Sequence, residues 1–170
     1  MMEKISICLG IFLALAVSRF VPHPPNFTSL IALSFYVPAI FGRQYIPAVI
    51  LSFAITDLVI GYHYGTFYTW GSVLLIGLIS NYFRKTLIKR LSGALVGAII
   101  FFIVSNFGVW ILTNTYNHNF SGLVKCYIMG LPFLQNSIFS SLAFAALIEF
   151  LISMNFIKSY IARINASLSY

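Results

Sequence analysis

Acidic side chains are nearly missing from this sequence: three Asp and Glu stand against ten Lys and Arg among 170 residues, and charged residues make up only 8%. A water-soluble globule carries about 25% charged residues, so this shortage excludes a soluble single-domain protein. Cysteine is also scarce. Cys8 and Cys126 fall in regions expected on opposite sides of a membrane, which excludes a disulfide framework and a cysteine metal cluster. No GxSxG or HExxH motif occurs, so the usual sequence marks of hydrolytic catalysis are lacking. His23, His63, His118, Asp57 and Cys126 show neither i, i+4 nor CxxC spacing, and no metal or other cofactor is expected.

Apolar residues fill the space that charge leaves, at 60% of the chain and a mean hydropathy of +0.95. A spanning helix takes about 20 residues, so the chain has room for about six spans and for no sizeable soluble domain. Apolar runs lie at about 5–17, 27–42, 45–64, 67–83, 91–113 and 131–154. The first could instead be a signal peptide, with Ala14-Leu15-Ala16 as its cleavage site. The expected fold is all-α: a polytopic membrane protein forming a single transmembrane domain over 1–170.

The basic excess reads as a topology signal. With both termini inside, Lys4, Arg43, Arg84, Lys85, Lys89, Arg90, Lys158 and Arg163 face the cytoplasm, and only Arg19 and Lys125 face out. Because these cations cluster at the ends of apolar runs, they do not form the basic face that nucleic acid requires. Over 155–170, Ile157, Tyr160, Ile161, Ile164 and Leu168 recur at helical spacing around Lys158 and Arg163, which predicts an amphipathic helix on the cytoplasmic surface. Membrane lipid is the partner such a tail implies.

Polar groups in hydrocarbon cost several kcal/mol each, so their placement carries information. Arg19, His23, Asn26, Asp57, His63, Asn106, Asn114, Gln135 and Asn136 gather toward the outer side, whereas Gln44, Asn81 and Glu149 lie toward the inner side. This asymmetry predicts a polar cavity opening outward. Asp57 is either half of an ion pair between helices or a ligand site, and Arg19 is its natural partner or an anion contact. His63, six residues on, would point away from Asp57 on a continued helix. Asn106 and Trp110 share a face on one span and offer an amide beside an aromatic wall, suited to a small polar ring. Pro132 is expected in the first turn of the sixth span, presenting Gln135 and Asn136 to the same cavity. Pro22, Pro24 and Pro25 stop the first helix and hold His23 and Asn26 on a stiff loop. Gly10, Ala14 and Ser18 form a small-residue stripe on the first helix that lets another helix approach, inside the bundle or from a partner; Gly93 and Gly97 repeat it on the fifth.

Arg19 with Pro22-His23-Pro24-Pro25-Asn26-Phe27-Thr28, Asp57 with Gly61 and His63, Ser105-Asn106-Phe107-Gly108-Val109-Trp110, and Gly122, Cys126-Tyr127, Pro132-Phe133 and Asn136 together form a recognisable pattern. It resembles a family of small bacterial membrane proteins described as transport proteins, whose members look like the substrate-binding S components of energy-coupling factor (ECF) transporters. The resemblance implies a six-helix inner-membrane protein that takes a small polar, vitamin-like micronutrient from the outer side and has no enzymatic activity. With the polar placement above, substrate contacts are expected from Arg19, His23 and Asn26 at the rim, from Asp57 to a donor group, and from Asn106, Trp110 and Asn136 lining the pocket. The resemblance also implies docking through Gly10, Ala14 and Ser18 on an ECF transmembrane subunit driven by two ATPases. The chain departs from that pattern in lacking an Ala-xxx-Ala pair on helix 1, and in carrying Ser140-Ser141 where a Gly-Asp pair is expected. A scaffold membrane protein without ligand and a membrane-embedded enzyme using His23 or Asp57 are the rival readings.

Overall fold

A computed structural model describes residues 2–168, with no strand among them. Seven α-helices follow in order: α1 (Met2–Phe20), α2 (Leu30–Phe41), α3 (Ile46–Ile60), α4 (Thr66–Phe83), α5 (Leu87–Leu112), α6 (Phe120–Ser153) and α7 (Asn155–Leu168). A single 3-10 turn, Arg43–Tyr45, leads into α3. Three helices are long and apolar enough to cross a membrane: Arg43–Ile60 with its leading turn, Leu87–Leu112 and Phe120–Ser153. Polar residues lower the mean hydropathy of α4, and Lys4 and Arg19 add charge to α1.

The distribution of polarity is reversed relative to a soluble protein. Large apolar side chains such as Leu9, Leu13, Leu51, Leu58, Ile103 and Phe139 are exposed, while Ser34, Ser52, Thr56, Thr69, Ser72, Ser80, Ser140 and Ser141 are buried. Lipid tails are as apolar as leucine, so helices in a bilayer associate through small and hydroxylated residues that allow close approach. Most of these hydroxyls are satisfied locally: Ser34 donates to Leu30 O at 2.6 Å, Ser72 to Thr69 O at 2.6 Å and Ser80 to Gly77 O at 2.8 Å, whereas Ser141 has no partner. Gly93 and Gly97 are buried on α5, Gly93 against the Phe35 ring and Gly97 against Ile31 and Ile76. These two glycines therefore serve internal packing between α5, α2 and α4.

α2 occupies the centre. It packs on α4, α5, α6 and α3, and α1 packs chiefly on α3. Among the described residues α1 and α6 do not pack closely together, leaving an apolar groove between them. α2 has only 12 residues, or about 18 Å at 1.5 Å per residue, against about 30 Å of hydrocarbon. The neighbouring helices outreach it, so its N-terminal end lies below the rim and leaves a space above.

Several boundaries differ from those the apolar runs predict. α3 stops at Ile60 because Gly61, at φ +111°, turns the chain in a conformation that side chains resist. His63 consequently sits in a connecting loop, off the helix that carries Asp57. α6 begins at Phe120, where the Asn119 side chain accepts from Gly122 N, so Pro132 lies inside the helix and not in its first turn. α7 forms as its spacing predicts, but Ile164 is fully buried and packs in the common core, and the helix contacts α6 and α2. Ser169 and Tyr170 of that segment, and the side chain of Leu168, lie outside the described residues.

Candidate functional site

The space above α2 is a hollow with a definable wall. One cavity of about 290 Å³ is floored by Leu30 and Ile31 at the start of α2 and walled by Arg19, Phe53, Ile60, His63, Thr69 and Phe101, with His23, Asn26 and Thr28 overhead. An adjoining cavity of about 550 Å³ shares Asn26, His63, Thr69 and Phe101 and extends between α5 and α6 past Ser105, Asn106, Tyr116, Cys126 and Gly130. Small-molecule sites fall in this size range and show the same mixture of apolar wall and few polar groups.

Arg19 dominates one side. Its Nη1 lies 2.7 Å from Asp57 Oδ1 and donates to Thr56 Oγ1 at 2.5 Å and Phe53 O at 3.3 Å. The guanidinium carbon stands 4.4 Å from the centre of the Phe53 ring, a cation–π arrangement that favours a partly desolvated charge. Asp57 is 2% exposed. Its second oxygen, Oδ2, accepts the indole N–H of Trp70 at 2.8 Å. Both carboxylate oxygens therefore have protein partners, and Arg19 stands between Asp57 and the hollow. Trp70 did not emerge from the sequence as a site residue. Its position at i+13 from Asp57, across a turn whose length the sequence left open, gave no spacing signal.

The overhanging loop is pinned from two directions. On the α1 side, the Ser18 and Ser29 hydroxyls share a hydrogen bond of 2.7 Å, Ser29 N donates to Ser18 Oγ at 3.1 Å, and Ser29 Oγ donates to Ala14 O at 3.3 Å. On the α6 side, Asn136 Nδ2 donates to Pro25 O at 2.9 Å and Ser140 Oγ to Asn26 O at 3.2 Å. Asn26 itself adopts φ +62°, which asparagine tolerates better than most residues.

The histidine tautomers follow from geometry. A carbonyl can only accept, so His23 Nδ1, 2.8 Å from Pro24 O, carries the proton. Conversely, Gly65 N donates to His63 Nδ1 at 3.1 Å, so neutral His63 bears its proton on Nε2.

The remaining sequence-predicted residues divide. Asn106 lines the second cavity, with Nδ2 donating to Phe102 O at 2.8 Å and Oδ1 facing Gly130. Trp110 lies outside both cavities: its indole donates to Asn117 O at 3.0 Å and its ring meets His118 and Phe107. Asn136 holds the loop and does not line the hollow. Of the stripe on α1, Gly10 and Ala14 are exposed, while Ser18 is engaged by Ser29. No group of three His, Cys, Asp or Glu side chains able to hold a metal occurs among the described residues.

At the other end of the bundle a second ionic cluster closes the base. Arg90 donates from Nε to Glu149 Oε1 at 2.5 Å and from Nη2 to Oε2 at 2.7 Å, and Tyr36 Oη donates to Oε1 at 2.8 Å. The two-pronged contact ties α5 to α6, and the tyrosine adds the central helix.

An apolar exterior, a hydroxyl-rich interior and a polar hollow at one end define a helical membrane protein. The chain belongs to DUF6580, a family of unknown function, which it matches over residues 1–162. No curated protein and no solved structure matches it.

Proposed function

We propose that this protein is a six-span, inner-membrane uptake protein, with both termini cytoplasmic, that captures a small polar molecule in the hollow above α2. The observation that carries the reading is the hollow itself: Arg19, His23, Asn26, His63, Thr69 and Asn106 converge on it from two loops and three helices. The arrangement fits an S component, whose partner would be an ECF transmembrane subunit with two ATPases. The eight cations assigned to the opposite end support a hollow that faces outward.

One observation favours the scaffold reading for part of the site. Asp57 is paired and dry, so its first role is to hold α1, α3 and α4 together. It therefore serves the hollow through Arg19, and the direct contacts fall to Arg19, Asn26, His63 and Asn106.

Native mass spectrometry of the full chain, purified in mild detergent from its host, tests this. Wild type is expected to carry a small polar molecule that His63→Ala and Asn106→Ala lose while remaining folded, with only a small fall in melting temperature. A chain bearing only lipid, or variants that retain the compound undiminished, would sink the uptake reading and leave the scaffold.

A further inference from the structure

Resting on the uptake reading, we infer that the hollow selects a carboxylate-bearing molecule over the corresponding amine. The argument starts from the acids. Of the three in the chain, Asp57 has both oxygens engaged and does not line either cavity. Glu149 is held by Arg90 and Tyr36 at the other end of the bundle. Glu3 belongs to the first turn of α1, about 24 Å along that helix from Arg19 at 1.5 Å per residue. Among the described residues no carboxylate lines the hollow to receive an ammonium group, and burying an ammonium without one is costly.

The donors point the other way. The ion pair and hydrogen bonds of the Arg19 guanidinium described above all use Nη1. Nε and Nη2 form the second edge of the planar fork, and that geometry suits a carboxylate with two parallel hydrogen bonds. Neutral His63 adds an Nε2–H, because its Nδ1 is committed to Gly65 N. His23 is exposed at the rim, with its Nδ1 proton turned to Pro24 O. The floor is the start of α2, whose cap residue Ser29 makes no side-chain cap hydrogen bond, so the positive end of the central helix faces the same space. Arg19 is already balanced by Asp57, so the discrimination comes from directed donors and from the lack of a free acid, and not from a large net charge.

Benzoate and benzylamine are matched ring probes of opposite charge. Added to the detergent-purified full chain, benzoate is expected to displace the carried compound, detected by native mass spectrometry, at a concentration about tenfold below that at which benzylamine does. Arg19→Lys keeps a cation beside Asp57 but lacks the second edge, and is expected to lose this discrimination. Should that variant not fold, His63→Asn keeps an acceptor for Gly65 N, removes the ring donor and sits on an exposed loop; it too should narrow the difference. Equal displacement by both probes, preference for benzylamine, or undiminished discrimination in the folded variants would overturn the inference while leaving uptake standing. A wild-type chain carrying no compound would overturn the uptake reading and this one with it.

Discussion

Trp70 and Arg19 hold opposite oxygens of the same carboxylate: the Trp70 indole N–H reaches Asp57 Oδ2 at 2.8 Å and Arg19 Nη1 lies 2.7 Å from Oδ1. One buried acid on α3 thereby joins α1 and α4. The trio sits beside the hollow and sets the angle of the guanidinium whose other edge remains available. On the proposed reading, structure and binding are coupled through Arg19, and substitutions on the two sides of it should behave differently.

Removing one member of a buried ion pair leaves the other charge unpaired, which costs about 3–5 kcal/mol. Asp57→Asn is expected to lower stability by that order, read by thermal unfolding in detergent. Trp70→Phe deletes a hydrogen bond to a charged acceptor and should cost about 1.5–3 kcal/mol. Arg19→Met combined with Asp57→Leu should recover much of the loss, because apolar replacement of a whole buried pair is often neutral. Asp57→Asn melting like wild type would show that the pair does not form in solution.

Glu149 gives the same test at the basic end. Glu149→Gln leaves Arg90 facing a neutral amide and removes its two-pronged carboxylate contact, so a loss of about 3 kcal/mol is expected. Tyr36→Phe removes only the hydroxyl that donates to Oε1, at about 1.5 kcal/mol, the lower end for a bond to a charged group. The ordering of the two variants in a thermal unfolding series checks the assignment. A larger effect from Tyr36→Phe would contradict it.

The features legible in the sequence were those that depend on composition and local punctuation. The apolar runs announced helices, Pro22, Pro24 and Pro25 announced the break after α1, and the spacing of Ile157, Ile161 and Ile164 announced α7. Polar asymmetry pointed to Arg19, His23, Asn26 and Asn106, which the structure brings to one hollow. What stayed hidden depends on where chains cross. Gly61 ends α3 one turn early and places His63 in the hollow's wall, and helical extrapolation past a glycine cannot foresee that. Trp70 reaches Asp57 only because the 61–65 turn brings α4 back beside α3. Trp110 is drawn out of the wall by Asn117 O on the α5–α6 connection, a backbone acceptor that no residue pattern marks. The shortness of α2, which creates the hollow, was masked because the apolar run continues through Phe27 without being helical there.

Adjacent serines on α6 should respond in opposite directions. Ser140 Oγ donates to Asn26 O and helps hold the proline loop over the hollow, so Ser140→Ala is expected to cost about 1 kcal/mol and to speed protease cleavage in the 22–27 loop. Ser141 is fully buried and its hydroxyl has no hydrogen-bond partner. Replacing an unpartnered buried hydroxyl by a methyl removes a desolvation cost, so Ser141→Ala should leave the loop intact and raise stability by up to about 1 kcal/mol. Equal losses in both would show that the loop is held by something other than Ser140.

Gly130 on α6 and Trp110 on α5 distinguish a position beside the cavity from one outside it. A Cβ added at Gly130 would lie 2.5 Å from Asn106 Oδ1 and 2.9 Å from the Phe102 ring. Asn106 is anchored by Nδ2 to Phe102 O, so Gly130→Ala must shift that amide, and the second cavity is the open volume beside it. Retention of the carried molecule is expected to fall about tenfold, with overpacking costing about 1–3 kcal/mol. Trp110→Phe provides the control on the neighbouring turn of α5. It removes the hydrogen bond to Asn117 O outside the cavities, so it should lower stability by about 1 kcal/mol while retention stays at the wild-type level. If Trp110→Phe empties the site and Gly130→Ala does not, the binding surface lies along the α5–α6 connection and not in the hollow above α2.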